Sequence, residues 1–141
     1  SAAIEGIING VPSIAISLTS YESPNFSFAG HIARKLIFDM EKELPERTLL
    51  NVNIPPGTPR GTKVTKLGNR RYVNIFDKRI DPRGRVYFWM AGEPFDLDED
   101  DPDTDVWAVK EGYISVTPVH FDLTDYHILK DLKKMIKKIE N

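Results

Sequence analysis

The chain has 141 residues, 40% hydrophobic and 28% charged, which suits one folded domain or part of one and is too apolar for wholesale disorder. It contains no cysteine, which excludes a disulfide framework, a thiolate zinc site and a cysteine nucleophile. The formal net charge of −2 hides two opposed blocks: seven acids and no base over 96–105, and nine bases against Asp77 and Asp81 over 60–85. The longest uncharged stretch, 6–21, is broken by Asn9, Pro12 and several Ser and Thr, so it is too short and too polar to cross a membrane.

In chain order, residues 2–9 predict a short helix with Asn9 and Gly10 as its stop. The apolar run 11–18 predicts a strand buried on both faces, as in a parallel sheet. A polar loop containing Ser23 and Pro24 follows over 20–25. Phe28, Ile32, Leu36 and Met40 recur every four residues, the apolar stripe of a helix over 27–44 that Asn25 or Ser27 caps and Pro45 ends. Over 48–54, Leu50, Val52 and Ile54 alternate with Asn51 and Asn53, predicting a strand with one apolar and one polar face. Helix and strand in alternation is the rhythm of an α/β sheet.

The rhythm then changes. Two β-rich runs, 72–76 and 86–90, flank an Asp81-Pro82-Arg83-Gly84 turn and predict a projecting hairpin, too basic and aromatic to be buried on both sides in one small domain. Residues 92–105 read as an acidic loop, 112–119 as a further strand, and Thr124 or Asp125 as the cap of a last helix. That helix carries Ile128, Leu132, Met135, Ile136 and Ile139 on its apolar face and five lysines elsewhere. The predicted organisation is 1–60 as part of an α/β core, 61–91 as the hairpin, 92–105 as the loop, and 106–141 as the last core strand with a swapping or oligomerisation helix.

The acids fail as an EF-hand loop: counted from Asp96 or from Asp101, the position that requires Gly holds Asp101 or Val106. They read as a solvated loop. His31, His120 and His127 have no metal-ligand spacing, and no GxSxG elbow, Walker loop or GxGxxG is present. The segment 60–85, with Tyr72, Phe76, Tyr87, Phe88 and Trp89 near it, fits either single-stranded nucleic acid or a packed hairpin with a solvated basic face. Asn51 and Asn53 lie toward a strand end, where open α/β sheets place ligands, and fit a structural hydrogen-bonding role as well.

Five strings, in order, resemble the SurE family of stationary-phase survival nucleotidases: SAAIEGIINGVPSIAISL (1–18), LLNVNIP (49–55), VTKLGNRRY (64–72), DPRGRVYFWM (81–90) and TDVWAVKEGYISVTPVHFDLT (104–124). The resemblance implies a Rossmann-like α/β sandwich with a projecting β-hairpin and a C-terminal helix for oligomerisation, as a homodimer or homotetramer. It implies an acid-phosphatase-like 5'-nucleotidase, a phosphomonoesterase that hydrolyses nucleoside 5'- or 3'-monophosphates with a divalent metal, magnesium or manganese.

The family builds its metal site from an Asp-Asp pair, a Ser and an Asn of an SGxNxG motif, and none of these strings occurs here. The resemblance therefore implies the C-terminal portion of such a protein, with metal ligands and catalytic residues outside this chain, which alone is expected to be inactive. Ser1 and Ala2 are expected at a helix start near the phosphate. Arg70, Arg71, Arg83 and Arg85 are expected to steer substrate or to contact another subunit. The resemblance implies the cytoplasm, with no membrane partner. A nucleic-acid-binding or purely oligomer-forming role for the hairpin is the alternative.

Overall fold

The computed structural model describes residues 2–20, 22, 26–40, 44–45 and 47–139. Its elements are α1 (Ala2–Ile8), β1 (Ser13–Leu18), α2 (Ser27–Met40), β2 (Leu49–Ile54), β3 (Thr62–Val64), β4 (Arg70–Val73), β5 (Phe76–Ile80), β6 (Val86–Met90), β7 (Glu93–Asp96), α3 (Asp105–Lys110), β8 (Ile114–Val119) and α4 (Leu129–Ile139).

The alternation in β2 organises the core. Four strands lie in the order β1-β2-β8-β3, with β1 parallel to β2, β8 antiparallel to β2, and β3 parallel to β8. Register sets Ile14 beside Leu50, Ile16 beside Val52, and Val52 beside Val116, so one face of the sheet is continuous and apolar. Ala29 of α2 seals that face, with Ile32, Leu36 and Leu44 packed around it. The same period of two sends Ala15, Asn51 and Thr117 to the other face in one row, and Ser17, Asn53 and Ser115 in the next. That small and polar face is where α1 and α3 pack, burying Ile7 and Ala108.

Several boundaries depart from expectation. β1 begins at Ser13 and is half-buried, because it is the edge of the sheet with one neighbour. α2 ends at Met40 among the described residues; 41–43 lie outside them, and Leu44 reaches the core without being helical. Ser27 is the first helical residue rather than the cap, since Phe26 C=O already accepts from Gly30 N at 2.8 Å. The Asn25 cap and the Ser23–Pro24 loop lie outside the described residues. α4 begins at Leu129, because Asp125 Oδ1 accepts from His127 N at 2.9 Å and turns the chain before the helix starts.

The basic and acidic blocks fold onto each other. The strand over 72–76 is displaced: β5 pairs with β6, whereas β4 pairs with β7 from the acidic segment. The acidic block is thus only partly loop. Arg70 faces Asp96 in register, Lys66 bonds Asp101 at 2.6 Å, Lys110 meets Glu99 at 3.8 Å, and Asn69 N donates to Asp98. The block then ends in α3, a helix missing from the expected elements, whose Thr104 cap accepts from Trp107 N at 3.3 Å.

Candidate functional site

The polar face of the sheet is open between its helices. A cleft of about 340 Å3 is lined by Thr19 at the end of β1, Asn51 and Asn53 of β2, Gly68 and Arg70 of the basic segment, and Asp105 of α3. It lies beyond the carboxyl end of β1, as ligand sites do in open α/β sheets. Asn53 Nδ2 donates to the buried Ser115 Oγ at 3.4 Å, and Thr19 donates its hydroxyl to Ile54 O at 3.0 Å.

Asp105 shapes the wall. Its Oδ1 accepts from Gly68 N at 2.8 Å and from Val106 N at 2.9 Å. The loop comes so close to α3 that a Cβ on residue 68 would sit 2.9 Å from Val106 Cγ2, so glycine fits there. Arg70 makes a two-point ion pair, Nε to Asp96 Oδ1 at 2.8 Å and Nη2 to Oδ2 at 2.9 Å. The hydrogen bond from Arg70 holds the Asp96 carboxyl below its usual range, and the same bond pushes the Arg70 guanidinium up. The cation at the cleft is therefore permanent and held in place.

The four arginines singled out from the sequence do not converge. Arg70 and Arg71 are at the base of the ribbon formed by β4–β7. Arg83 and Arg85 are at its tip, where Asp81 Oδ1 accepts from both of their backbone N–H groups at 2.8 Å. Ala2 is exposed at the start of α1, and Ser1 lies outside the described residues. Thr19, Gly68, Asp96 and Asp105 were not singled out; the Thr104-Asp105 pair ahead of an apolar turn is a helix-start signal that points to Asp105. Among the described residues no group of three or more His, Asp or Glu is arranged to hold a metal ion, and no helix is long and apolar enough to cross a membrane.

Comparison with known proteins decides the family. The family model described as "Survival protein SurE" matches residues 1–74, more than half of the chain. The chain belongs to the SurE family. It is 71% identical over 137 residues to the 5'-nucleotidase SurE of Pelotomaculum thermopropionicum, covering 97% of this chain and 53% of that protein. The 5'-nucleotidase SurE of Desulforudis audaxviator is 55% identical, over 95% of this chain and 53% of its own length. The crystal structure of the SurE protein from Aquifex aeolicus matches the fold with a TM-score of 0.73 and 41% identity, over 94% of this chain and 55% of that one. The chain spans about half the length of the SurE relatives it matches, consistent with a C-terminal portion. The expected SurE-like mixed α/β fold is thus found, and the ribbon and α4 are compatible with it.

Proposed function

We propose that the protein carrying this chain is a phosphomonoesterase that hydrolyses nucleoside 5'- or 3'-monophosphates to nucleoside and phosphate. The observation that carries this reading is the 71% identity, over 97% of this chain, to a relative named 5'-nucleotidase SurE. The cleft adds a chemical reason. The amides of Asn51 and Asn53 and the fixed Arg70 guanidinium are donors suited to phosphoryl oxygens. α1 returns through the 9–12 turn to pack on β1, so Ala2 lies toward the strand end that carries Thr19. This supports Ala2, and with it the preceding Ser1, as nearest the phosphate.

The divalent metal implied by the family resemblance, magnesium or manganese, finds no donor set in the described part of this chain. Asp105, the carboxylate lining the cleft, already accepts two backbone N–H groups. In our reading the metal ligands belong to residues outside this chain, and these 141 residues alone release no phosphate. Arg71, Arg83 and Arg85 act with Arg70 to raise the local nucleotide concentration, at the same site or at a neighbour's in a homodimer or homotetramer. The exposed Phe76, Phe88 and Trp89 of the ribbon and the exposed apolar side chains of α4 support contact between copies through ribbon and helix. A cytoplasmic location and a role in stationary-phase survival belong to the same reading and rest on the resemblance. Nucleic acid is outside it, since the acidic block lies against the basic segment, with Asp101 on Lys66 and Asp98 on the Asn69 N–H.

Steady-state kinetics on the full-length protein tests this. Arg70→Ala is expected to lower kcat/KM for nucleoside monophosphates by roughly tenfold to a hundredfold, the effect of losing a charged hydrogen bond. A wild-type protein that frees no phosphate from any nucleoside monophosphate sinks the reading. An unchanged KM after Arg70→Ala with Arg71→Ala removes the steering role alone.

A further inference from the structure

Both strands of the ribbon break at one level. Asn74 adopts a left-handed φ of 52° and Gly92 a φ of 140°, and Ala91 N donates to Ile75 O at 2.9 Å across the break. The pairs β4/β7 and β5/β6 are consequently separate two-stranded sheets joined at a kink. A Cβ on residue 92 would lie 3.1 Å from Val73 O and 3.5 Å from Tyr72 Cβ, so the kink needs glycine both for space and for its backbone angle. The kink opens a second cavity of about 680 Å3, walled by Tyr72, Ile75 and Met90, with Arg70 and Arg71 at one side. Its size is within the roughly 300–1,000 Å3 of small-molecule sites. Arg70 lines this cavity and the polar cleft alike, and Asp96 holds its guanidinium at the seam.

We propose that the cavity at the ribbon kink receives the nucleobase of the substrate, with the phosphate in the Asn51–Asn53 cleft and the sugar beside Arg70. The proposal rests on the nucleotidase reading above. A nucleotide is a phosphate joined to a flat ring with a polar edge, and the two adjoining spaces divide in the same way. The cleft offers two amides and a cation, and the one carboxylate that lines it, Asp105, has its Oδ1 taken by two backbone N–H groups; the cavity offers an aromatic ring, two apolar side chains and a guanidinium. Tyr72 supplies a face on which any base stacks, and Met90, unbranched and polarisable, adapts to purine or pyrimidine. Because stacking is tolerant of base identity, the cavity selects for the presence of a base more than for one particular base.

The test compares, in the full-length protein, kcat/KM for a nucleoside 5'-monophosphate with that for ribose 5-phosphate, which has the phosphate and sugar but no base. Met90→Trp fills the cavity, and Met90 is 80% exposed, so the substitution leaves the core untouched. The ratio of the two kcat/KM values is expected to fall by roughly tenfold or more, the scale of one lost stacking contact, and Met90→Leu is expected to restore most of it. A ratio unchanged by Met90→Trp, with both substrates turned over, overturns the base site alone. A changed oligomeric mass with an unchanged ratio assigns the cavity to contact between copies and likewise overturns it. A wild-type protein that hydrolyses neither substrate overturns the base site together with the nucleotidase reading.

Discussion

Tyr126 donates its hydroxyl to Asp122 Oδ2 at 2.5 Å, and Thr124 N donates to Oδ1 at 2.9 Å, in the segment between β8 and α4. Tyr126 first, then Thr124, pulls the Asp122 carboxyl from 3.8 down to about 2, and the same contact pushes the Tyr126 hydroxyl above 10.0. A depressed carboxyl pKa means that the folded contact favours the ionised form. The stability it adds is therefore complete above 3.8 and is lost as pH falls through about 2. Tyr126→Phe is expected to bring the Asp122 midpoint back up toward 3.8 in an NMR titration of the side-chain carboxyl. A midpoint that stays near 2 would assign the shift to Thr124 instead. Residues of the cleft differ in how far the sequence exposes them. Asn51 and Asn53 stand out because they interrupt an apolar alternation, whereas Asp96 is one acid among seven until β4 and β7 pair and set it opposite Arg70.

Thr65 and Thr117 show the corresponding limit at the scale of elements. Their hydroxyls are buried 2.7 Å apart where the chain beyond β3 runs beside β8, and either can donate to the other. Thr117→Val keeps the shape and strands the Thr65 hydroxyl without its partner, so it is expected to cost about 1–3 kcal/mol in urea unfolding. The double change to valine is expected to recover much of that loss, because no buried hydroxyl is left unpaired. Additive losses in the two single variants would show that the pair is not a unit. The helical stripe of α2 and the two faces of β2 were legible because burial repeats with the period of the backbone. β7 was not legible: Glu93, Pro94 and Asp96 are poor strand formers, and the strand exists because β4 lies beside it. The α4 boundary was misplaced for a related reason, since Asp125 serves a turn before the helix instead of its cap.

For the whole molecule, the exposed apolar surface is the main feature. Leu132, Met135, Ile136 and Ile139 recur at helical spacing along α4, none is buried, and Phe76, Phe88 and Trp89 of the ribbon are likewise exposed. In the reading proposed above, this surface is where copies meet. In the proposed oligomer, Leu132→Lys with Ile136→Lys in the full-length protein is expected to shift the mass in light scattering to that of one chain. An unchanged mass would remove α4 from the contact.

By itself the sequence determined the α/β class, the two-faced strand β2, the turn at Asp81–Gly84 and the family, because local periodicity, turn chemistry and linear strings of residues survive without knowledge of what packs where. Only the tertiary structure decided that the acids neutralise the adjacent bases and that Arg70 is fixed between a polar cleft and an apolar cavity. Those outcomes depend on pairings between residues 26 or more positions apart, as for Arg70 and Asp96, and no period within one strand or helix encodes which distant partner a side chain will meet.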